Sequence, residues 1–161
     1  MSRLLGIDLG ERRIGLAVAD GDGSPARPLD TISRAATPAD DATTIGRIVE
    51  RLEVGGLVVG LPYEASGDVG AQARRTLDWV DAMRRLIDLP IVLRDERLTS
   101  HVAETRLGPP KRGRSGGPPS RVTRIAHRAR IDREAAAIIL QDELDARAAT
   151  QRPERTGESA T

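Results

Sequence analysis

Three short segments of the chain each place an acidic residue in or beside a run of apolar residues. Asp8 lies within the apolar segment 4–9, the adjacent Asp95 and Glu96 follow a second apolar run, and Asp132 precedes an alanine-rich stretch. Carboxylates brought together from distant segments are what a divalent-cation site for phosphodiester chemistry requires. The residue types and their settings therefore predict an enzyme, and specifically a nuclease.

Two of these carboxylates also have a plain structural explanation. Asp8 in a buried strand is costly to keep ionised unless it is paired or binds a metal, and Arg12 or Arg13 could supply an ion pair. Asp132 could cap the start of a helix, where an acidic side chain is favoured. Taken singly, neither Asp8 nor Asp132 shows whether its role is to bind a metal or to stabilise the structure.

Asp95 and Glu96 follow a predicted strand at 90–94, and open α/β sheets commonly place their ligands at the carboxyl ends of strands. Successive side chains of a strand point to opposite faces, so only one of the two should join the other carboxylates. The residue pattern does not choose between them. It equally allows a charged loop in which Arg94 and Arg97 form local ion pairs.

Basic residues are concentrated in one part of the chain. Residues 111–133 hold eight Lys and Arg residues against Asp132 alone, a net charge of +7 that leaves −6 elsewhere. Such an asymmetry indicates a polyanionic partner met by one face, although a solvated charged helix would show the same pattern. The proximity of this segment to Asp132 favours nucleic acid as the partner.

Composition limits the class of protein further. The 161 residues suit one domain, and the absence of Cys excludes disulfides and thiolate metal sites. With one Tyr, one Trp and no Phe, contacts to nucleic acid must rely on charge and backbone rather than on aromatic stacking platforms. No segment resembles a signal peptide or a membrane span, so we expect a soluble cytoplasmic protein.

The elements that must position the carboxylates follow from hydrophobic periodicity. Thr37 and Pro38 mark the start of the first helix as its N-cap and first residue. Alternating and helical spacings predict strands at 3–9, 14–19, 27–33, 57–61 and 90–94, and helices from 38, at 68–87, at 99–107 and at 131–147, the last of which could begin near Arg121. This order predicts an α/β fold whose mixed sheet is antiparallel in its first half and parallel in its second.

Two segments are predicted to lie outside this framework. Eight of the thirteen residues at 108–120 are Gly or Pro, which indicates a loop that is mobile or ordered by a ligand. Residues 148–161 are polar and lack apolar periodicity, so they are predicted to form a disordered tail after a single domain at 1–147.

Read jointly, the motifs resemble the YqgF (RuvX) family from about residue 3 to residue 145. That family has an RNase H-like fold related to the Holliday-junction resolvase RuvC, and its members are assigned as nucleases that mature the 5′ end of precursor 16S ribosomal RNA. The resemblance therefore implies an RNase H-like sheet of five strands. It rests on Gly6-Ile7-Asp8-Leu9-Gly10, Arg13-Ile14-Gly15-Leu16-Ala17-Val18-Ala19-Asp20, Gly60-Leu61-Pro62, Gln72-Ala73, Asp95-Glu96-Arg97-Leu98-Thr99-Ser100 and Ile131-Asp132-Arg133-Glu134-Ala135-Ala136.

The resemblance implies that Asp8, Glu96 and Asp132 form the catalytic and metal-binding carboxylate set, which selects Glu96 over Asp95. They would hold one or two Mg²⁺ or Mn²⁺ ions, with precursor rRNA as the implied partner. The family's lysine-rich stretch before the last of these carboxylates is here based on arginine. The implied strand-binding residues are Arg13, Lys111, Arg112, Arg114, Arg121, Arg124, Arg128 and Arg130.

Three other functions compete with this interpretation. A Holliday-junction-resolvase-like DNA endonuclease would act on branched DNA, and a non-catalytic module would bind nucleic acid without needing all three carboxylates. An actin-like or sugar-kinase-like ATPase would share the loop at 6–10 but would need a second lobe, against which the length argues. The residues leave monomer and homodimer equally open.

Overall fold

Five strands form one sheet in the computed structural model, which describes residues 2–64, 66–96 and 99–152. The strand order is β3-β2-β1-β4-β5, with β1, β2 and β3 antiparallel and with β4 and β5 parallel to β1. The predicted mixed sheet is confirmed. The strands are β1 (Arg3–Leu9), β2 (Arg13–Ala19), β3 (Arg27–Ser33), β4 (Val54–Leu61) and β5 (Ile91–Asp95).

The described residues contain the helices α1 (Pro38–Leu52), α2 (Ala71–Leu86), α3 (Thr99–Leu107) and α4 (Arg121–Gln151). Helix α1 begins as predicted, because the Thr37 side chain accepts a hydrogen bond from the amide of Asp40 at 3.2 Å and Pro38 follows. Within the described ranges, no helix combines the length and apolar character that crossing a membrane requires.

Alternation along the strands divides the interior into two cores. Leu5 and Ile7 face α1 and α2, where they pack with Trp79. Leu4 faces the opposite side of the sheet, where α4 contributes Leu140. Because side chains of β1 alternate in this way, Asp8 belongs to the face covered by α4.

Helix α4 is the longest element and carries the third candidate carboxylate. It begins at Arg121, where Ser120 accepts a hydrogen bond from the amide of Thr123 at 3.1 Å. Asp132 therefore lies three turns inside the helix, and the interpretation of this residue as a helix cap is wrong.

The same helix ends later than the sequence indicated. It continues to Gln151 instead of stopping at Arg147, because 148–151 contain neither Gly nor Pro to end it. The part of the predicted tail at 153–161 lies outside the described residues. The loop at 108–120 joins α3 to α4 and has neither helix nor strand, as predicted.

Candidate active site

A row of residues crosses the sheet directly beneath α4. Thr31 of β3 pairs with Gly15 of β2, and Gly15 pairs with Asp8 of β1. The parallel strands continue the row on the other side of Asp8 through Gly60 and Arg94, which pair with each other. Opposed residues in a sheet share a face, so the whole row faces the helix.

The glycines of this row let α4 lie close to the sheet. A Cβ atom added to Gly15 would overlap the carbonyl group of Asp132 and would lie 2.9 Å from the amide nitrogen of the next residue. A Cβ atom added to Gly60 would lie 2.7 Å from Oε2 of Glu96. Side chains at either position would therefore hold Asp132 or Glu96 away from Asp8.

Asp8 and Glu96 form a hydrogen-bonded pair of carboxyl groups. Burial, followed by the negative charge of Asp8, raises the pKa of Glu96 to about 9. Burial also raises the pKa of Asp8 to about 6, although the hydrogen bond from Glu96 opposes this shift and the charge of Asp132 adds to it. Near neutral pH the protonated Glu96 therefore donates to the ionised Asp8, and a proton reduces the charge of the pair.

The fold also separates the two adjacent acidic residues at the end of β5. Glu96 is only 8% exposed, whereas Asp95 is exposed to solvent. Side-chain alternation at the end of β5 thus places Glu96, and not Asp95, beside Asp8. Of the two arginines in the charged-loop alternative, Arg94 has its Nε 3.7 Å from Oε2 of Glu143 in α4, and Arg97 lies outside the described residues.

Asp132 completes the acidic group but is held by a cation. Its Oδ2 accepts a hydrogen bond from Arg13 Nε at 2.5 Å. Arg13 therefore pairs with Asp132 rather than with Asp8, which was its expected partner if Asp8 had a structural role. Across the described ranges, no group of three His, Cys, Asp or Glu side chains is already arranged to hold a metal ion.

The donor chemistry nevertheless suits a divalent cation. All three groups offer carboxylate oxygens, the ligands preferred by Mg²⁺ and Mn²⁺. Asp8 and Glu96 are buried together with too little positive charge around them, so one retains a proton. A cation that displaced this proton would relieve the repulsion, with Asp132 available as a further ligand once Arg13 had another anion to bind.

Basic side chains line two adjoining cavities of about 390 and 360 Å³ beside this group. Both cavities include Arg12, Arg13 and Arg128, and the first also includes Asp132. We call the two cavities together the arginine groove. Its remaining arginines, Arg121 and Arg124, lie on the same face of α4 as Arg128 because they are spaced by three and four residues.

The groove includes only some of the predicted strand-binding residues. Arg12 is the residue that sequence reasoning missed, since it was considered only as an ion-pair partner of Asp8. Its position in the turn after β1, next to the carboxyl end that carries Asp8, was the available signal. Of the predicted residues, Arg13, Arg121, Arg124 and Arg128 line the groove, whereas the exposed Lys111, Arg112, Arg114 and Arg130 line neither cavity.

A chain of polar contacts braces the turn between β1 and β2. Arg34 donates to the carbonyl oxygen of Gly10 at 3.1 Å through Nη1, and its amide donates to the carbonyl oxygen of Arg12 at 2.9 Å. Nε of Arg34 lies 3.9 Å from Oδ2 of the buried Asp41, which accepts a hydrogen bond from Trp79 Nε1 at 3.0 Å. The turn that carries the groove arginines is thereby tied to the core under α1 and α2.

Comparison with known proteins gives a consistent result. A family profile described as "RuvX: Holliday junction resolvase" matches residues 2–146. A protein of Acaryochloris marina is 42% identical over 141 residues, which are 88% of this chain and 90% of that protein. A protein of Anaeromyxobacter sp. (strain Fw109-5) is 42% identical over 145 residues, with coverages of 90% and 98%. Both relatives carry the name "Putative pre-16S rRNA nuclease".

A solved structure supports the fold. Thermus thermophilus RuvC in complex with a Holliday junction substrate superposes with a TM-score of 0.54 at 15% sequence identity. The match covers 95% of this chain and 99% of that chain. The predicted RNase H-like arrangement of five strands is thus confirmed at the level of fold.

Proposed function

The chain belongs to the RuvX family of nucleases, and we propose that it hydrolyses phosphodiester bonds with divalent metal ions. The site of this reaction is formed by Asp8, Glu96 and Asp132. One observation carries the proposal. Asp8 of β1 and Glu96 after β5 share a hydrogen bond and have raised pKa values, and the charge of Asp132 in α4 contributes to the raised pKa of Asp8. Perturbed carboxyl groups of this kind in a cleft are typical of functional sites.

Bound Mg²⁺ or Mn²⁺ would activate a water molecule and stabilise the charge on the departing oxygen. The protein's own groups prepare the site for it. Asp8 and Glu96 would hold the ion once the proton of their hydrogen bond had been released to solvent. Arg13 exchanges Asp132 for a phosphate oxygen of the substrate, which frees that carboxylate and holds the phosphate at the site.

The arginine groove would hold a nucleic-acid strand through its phosphates. Guanidinium groups bind phosphate oxygens in pairs, and such contacts position a strand without reading its sequence. The names of the relatives support precursor 16S rRNA as the substrate. We propose that the cut lies at its 5′ end and that the activity is cytoplasmic. Branched DNA is the second candidate, because the family description names Holliday junction resolution.

A cleavage assay tests both the chemistry and the site. Wild type, Asp8→Asn, Asp132→Asn and Asp95→Asn are incubated with precursor 16S rRNA, unrelated single-stranded RNA or a four-way DNA junction in Mg²⁺, Mn²⁺ or EDTA. We expect metal-dependent cleavage of the precursor, reduced about 100-fold or more in the first two variants because each removes a metal-binding oxyanion. Asp95→Asn is the matched control beside Glu96 and should remain within a few-fold of wild type.

The outcomes separate the parts of the proposal. If wild type binds these substrates with a steep salt dependence yet cleaves none of them with either metal, the nuclease proposal fails. If only the junction is cleaved, the rRNA assignment is wrong while the chemistry stands. If Asp8→Asn cleaves as fast as wild type, the site is wrong.

A further inference from the structure

We propose that a cavity between α3 and α4 binds an unpaired nucleobase of the strand whose phosphates lie in the arginine groove. This inference rests on the proposed function, since it names a second contact to the same nucleic acid. The cavity has a volume of about 500 Å³ and is lined by His101, His127, Glu104 and Arg128 among others. We call it the histidine cavity.

Rings that could stack on a base are scarce in this chain. Trp79 is buried in the core at 1% exposure and donates its indole hydrogen to Asp41, so it cannot meet a ligand. Tyr63 follows β4 and lines neither the histidine cavity nor the arginine groove. The two histidines are the only ones in the sequence, and they come from different helices to the same cavity. An imidazole ring can stack on a base and can also form hydrogen bonds with the edge of the base.

The walls of the histidine cavity combine apolar surface with polar groups. Pro109, Pro110 and Ile131 give it apolar surface, while Glu104 and Thr105 give it polar groups. Ligand pockets combine such apolar walls with a few polar groups, and their volumes are commonly about 300–1,000 Å³. A planar base with polar edges matches both properties.

The histidine cavity adjoins the arginine groove. Arg128 lines both the histidine cavity and the arginine groove. On α4, Arg128 and Asp132 are four residues apart and share one face, whereas His127 and Ile131 form the neighbouring face. The helix thus presents phosphate-binding residues beside base-binding residues, and a nucleotide likewise carries its phosphate and its base close together.

Helix α3 is packed against α4 and paired with it. Ala103 is fully buried, and Arg106 Nη1 of α3 lies 3.3 Å from Oε1 of Glu134 in α4. The cavity between the helices is therefore formed by the fold itself. A preformed site loses less conformational entropy when a base enters it.

A binding experiment without metal tests the proposal. An octameric RNA is compared with an abasic strand that has the same sugars and phosphates, using fluorescence anisotropy in EDTA with the full chain. Wild type should bind the intact octamer about 5- to 100-fold more tightly than the abasic strand, the range measured for base stacking on a protein ring. In His101→Ala/His127→Ala this ratio should fall toward one. Both side chains are on the surface side of their helices, and circular dichroism checks that the variant is folded.

The matched control is Arg124→Ala, because Arg124 lines the arginine groove but not the histidine cavity; it should weaken both strands by the same factor and keep the ratio. An unchanged ratio in the double histidine variant, or equal binding of the two strands by wild type, would overturn the proposal. The nuclease proposal is judged by a different measurement, cleavage in Mg²⁺ or Mn²⁺. A protein that cleaves RNA but shows no base contribution would refute only the histidine cavity, and one that shows the contribution but never cleaves would refute only the nuclease.

Discussion

Gly15→Ala should damage the reaction site without removing any of its functional groups. An added Cβ atom would overlap the carbonyl group of Asp132, and ordinary contact begins at 3.4 Å, so α4 would have to retreat by about 1 Å or more. Helix and sheet on this face meet through small and fully buried residues such as Ala136, which leaves little room for adjustment. We expect a loss of about 1–3 kcal/mol in the free energy of unfolding.

The same displacement carries Asp132 away from Asp8. A misplacement of about 1 Å at a reaction centre can reduce the rate about 100-fold, so cleavage should fall by that order. The assays are urea unfolding and metal-dependent cleavage at a temperature where the variant is fully folded. Mn²⁺ binding, measured by titration calorimetry, should weaken in parallel.

Gly46→Ala provides the control. Gly46 lies within α1 and has open space where its Cβ would be, so alanine should stabilise the protein by about 0.5–1 kcal/mol and leave cleavage unchanged. If Gly15→Ala unfolds at the wild-type urea concentration and cleaves at the wild-type rate, α4 does not rest on Gly15. The account of how the carboxylates are brought together would then be refuted.

Three further outcomes are expected. In EDTA the melting temperature of wild type should fall as the pH rises from about 5 to about 9, because the pKa of Glu96 is raised to about 9 and the folded protein retains a proton that the unfolded chain releases. Thermal melts should show a flatter profile for Glu96→Gln, and parallel profiles would contradict this. Arg124→Ala should lower the slope of log affinity against log salt by about 0.7 for single strands of any sequence, and an unchanged slope would exclude a phosphate contact. Asp41→Asn should cost about 1–3 kcal/mol in urea unfolding, because Oδ2 accepts from Trp79 and lies beside Arg34 while Oδ1 accepts from the amide of Ala35, and an amide group has only one accepting oxygen; wild-type stability would contradict the bracing of the turn.

Much of the fold could be predicted because its signals are local. The predicted strands at 3–9 and 27–33 match the observed strands residue for residue, and Thr37 with Pro38 marks the start of α1. Periodicity and capping depend on neighbouring residues, which the sequence displays directly. The end of α4 was harder to predict. Residues 148–151 are polar and lack apolar periodicity, so periodicity alone assigned them to a disordered tail although they belong to the helix.

The candidate site could be predicted in part. Each acidic residue was recognisable from an apolar setting, but the residues alone did not choose between Asp95 and Glu96. The structural alternative for Asp8 predicted an ion pair with Arg13, and this prediction was wrong. It considered only residues close in sequence, whereas the actual partner of Arg13, Asp132, lies 119 residues away. Arg12 was overlooked as a groove residue because it was considered only as an ion-pair partner of Asp8, its neighbour in sequence.

The sequence by itself determined which residues could do chemistry and which segments form strands and helices. Only the tertiary structure decided which of them meet. Glu96 joins Asp8 because packing buries one side of the strand end and Gly60 leaves room for its side chain, and α4 brings Asp132 to them because Gly15 leaves room for the backbone of the helix. Close approach between segments depends on shape and burial across the whole molecule, and these quantities exist only after the chain has folded.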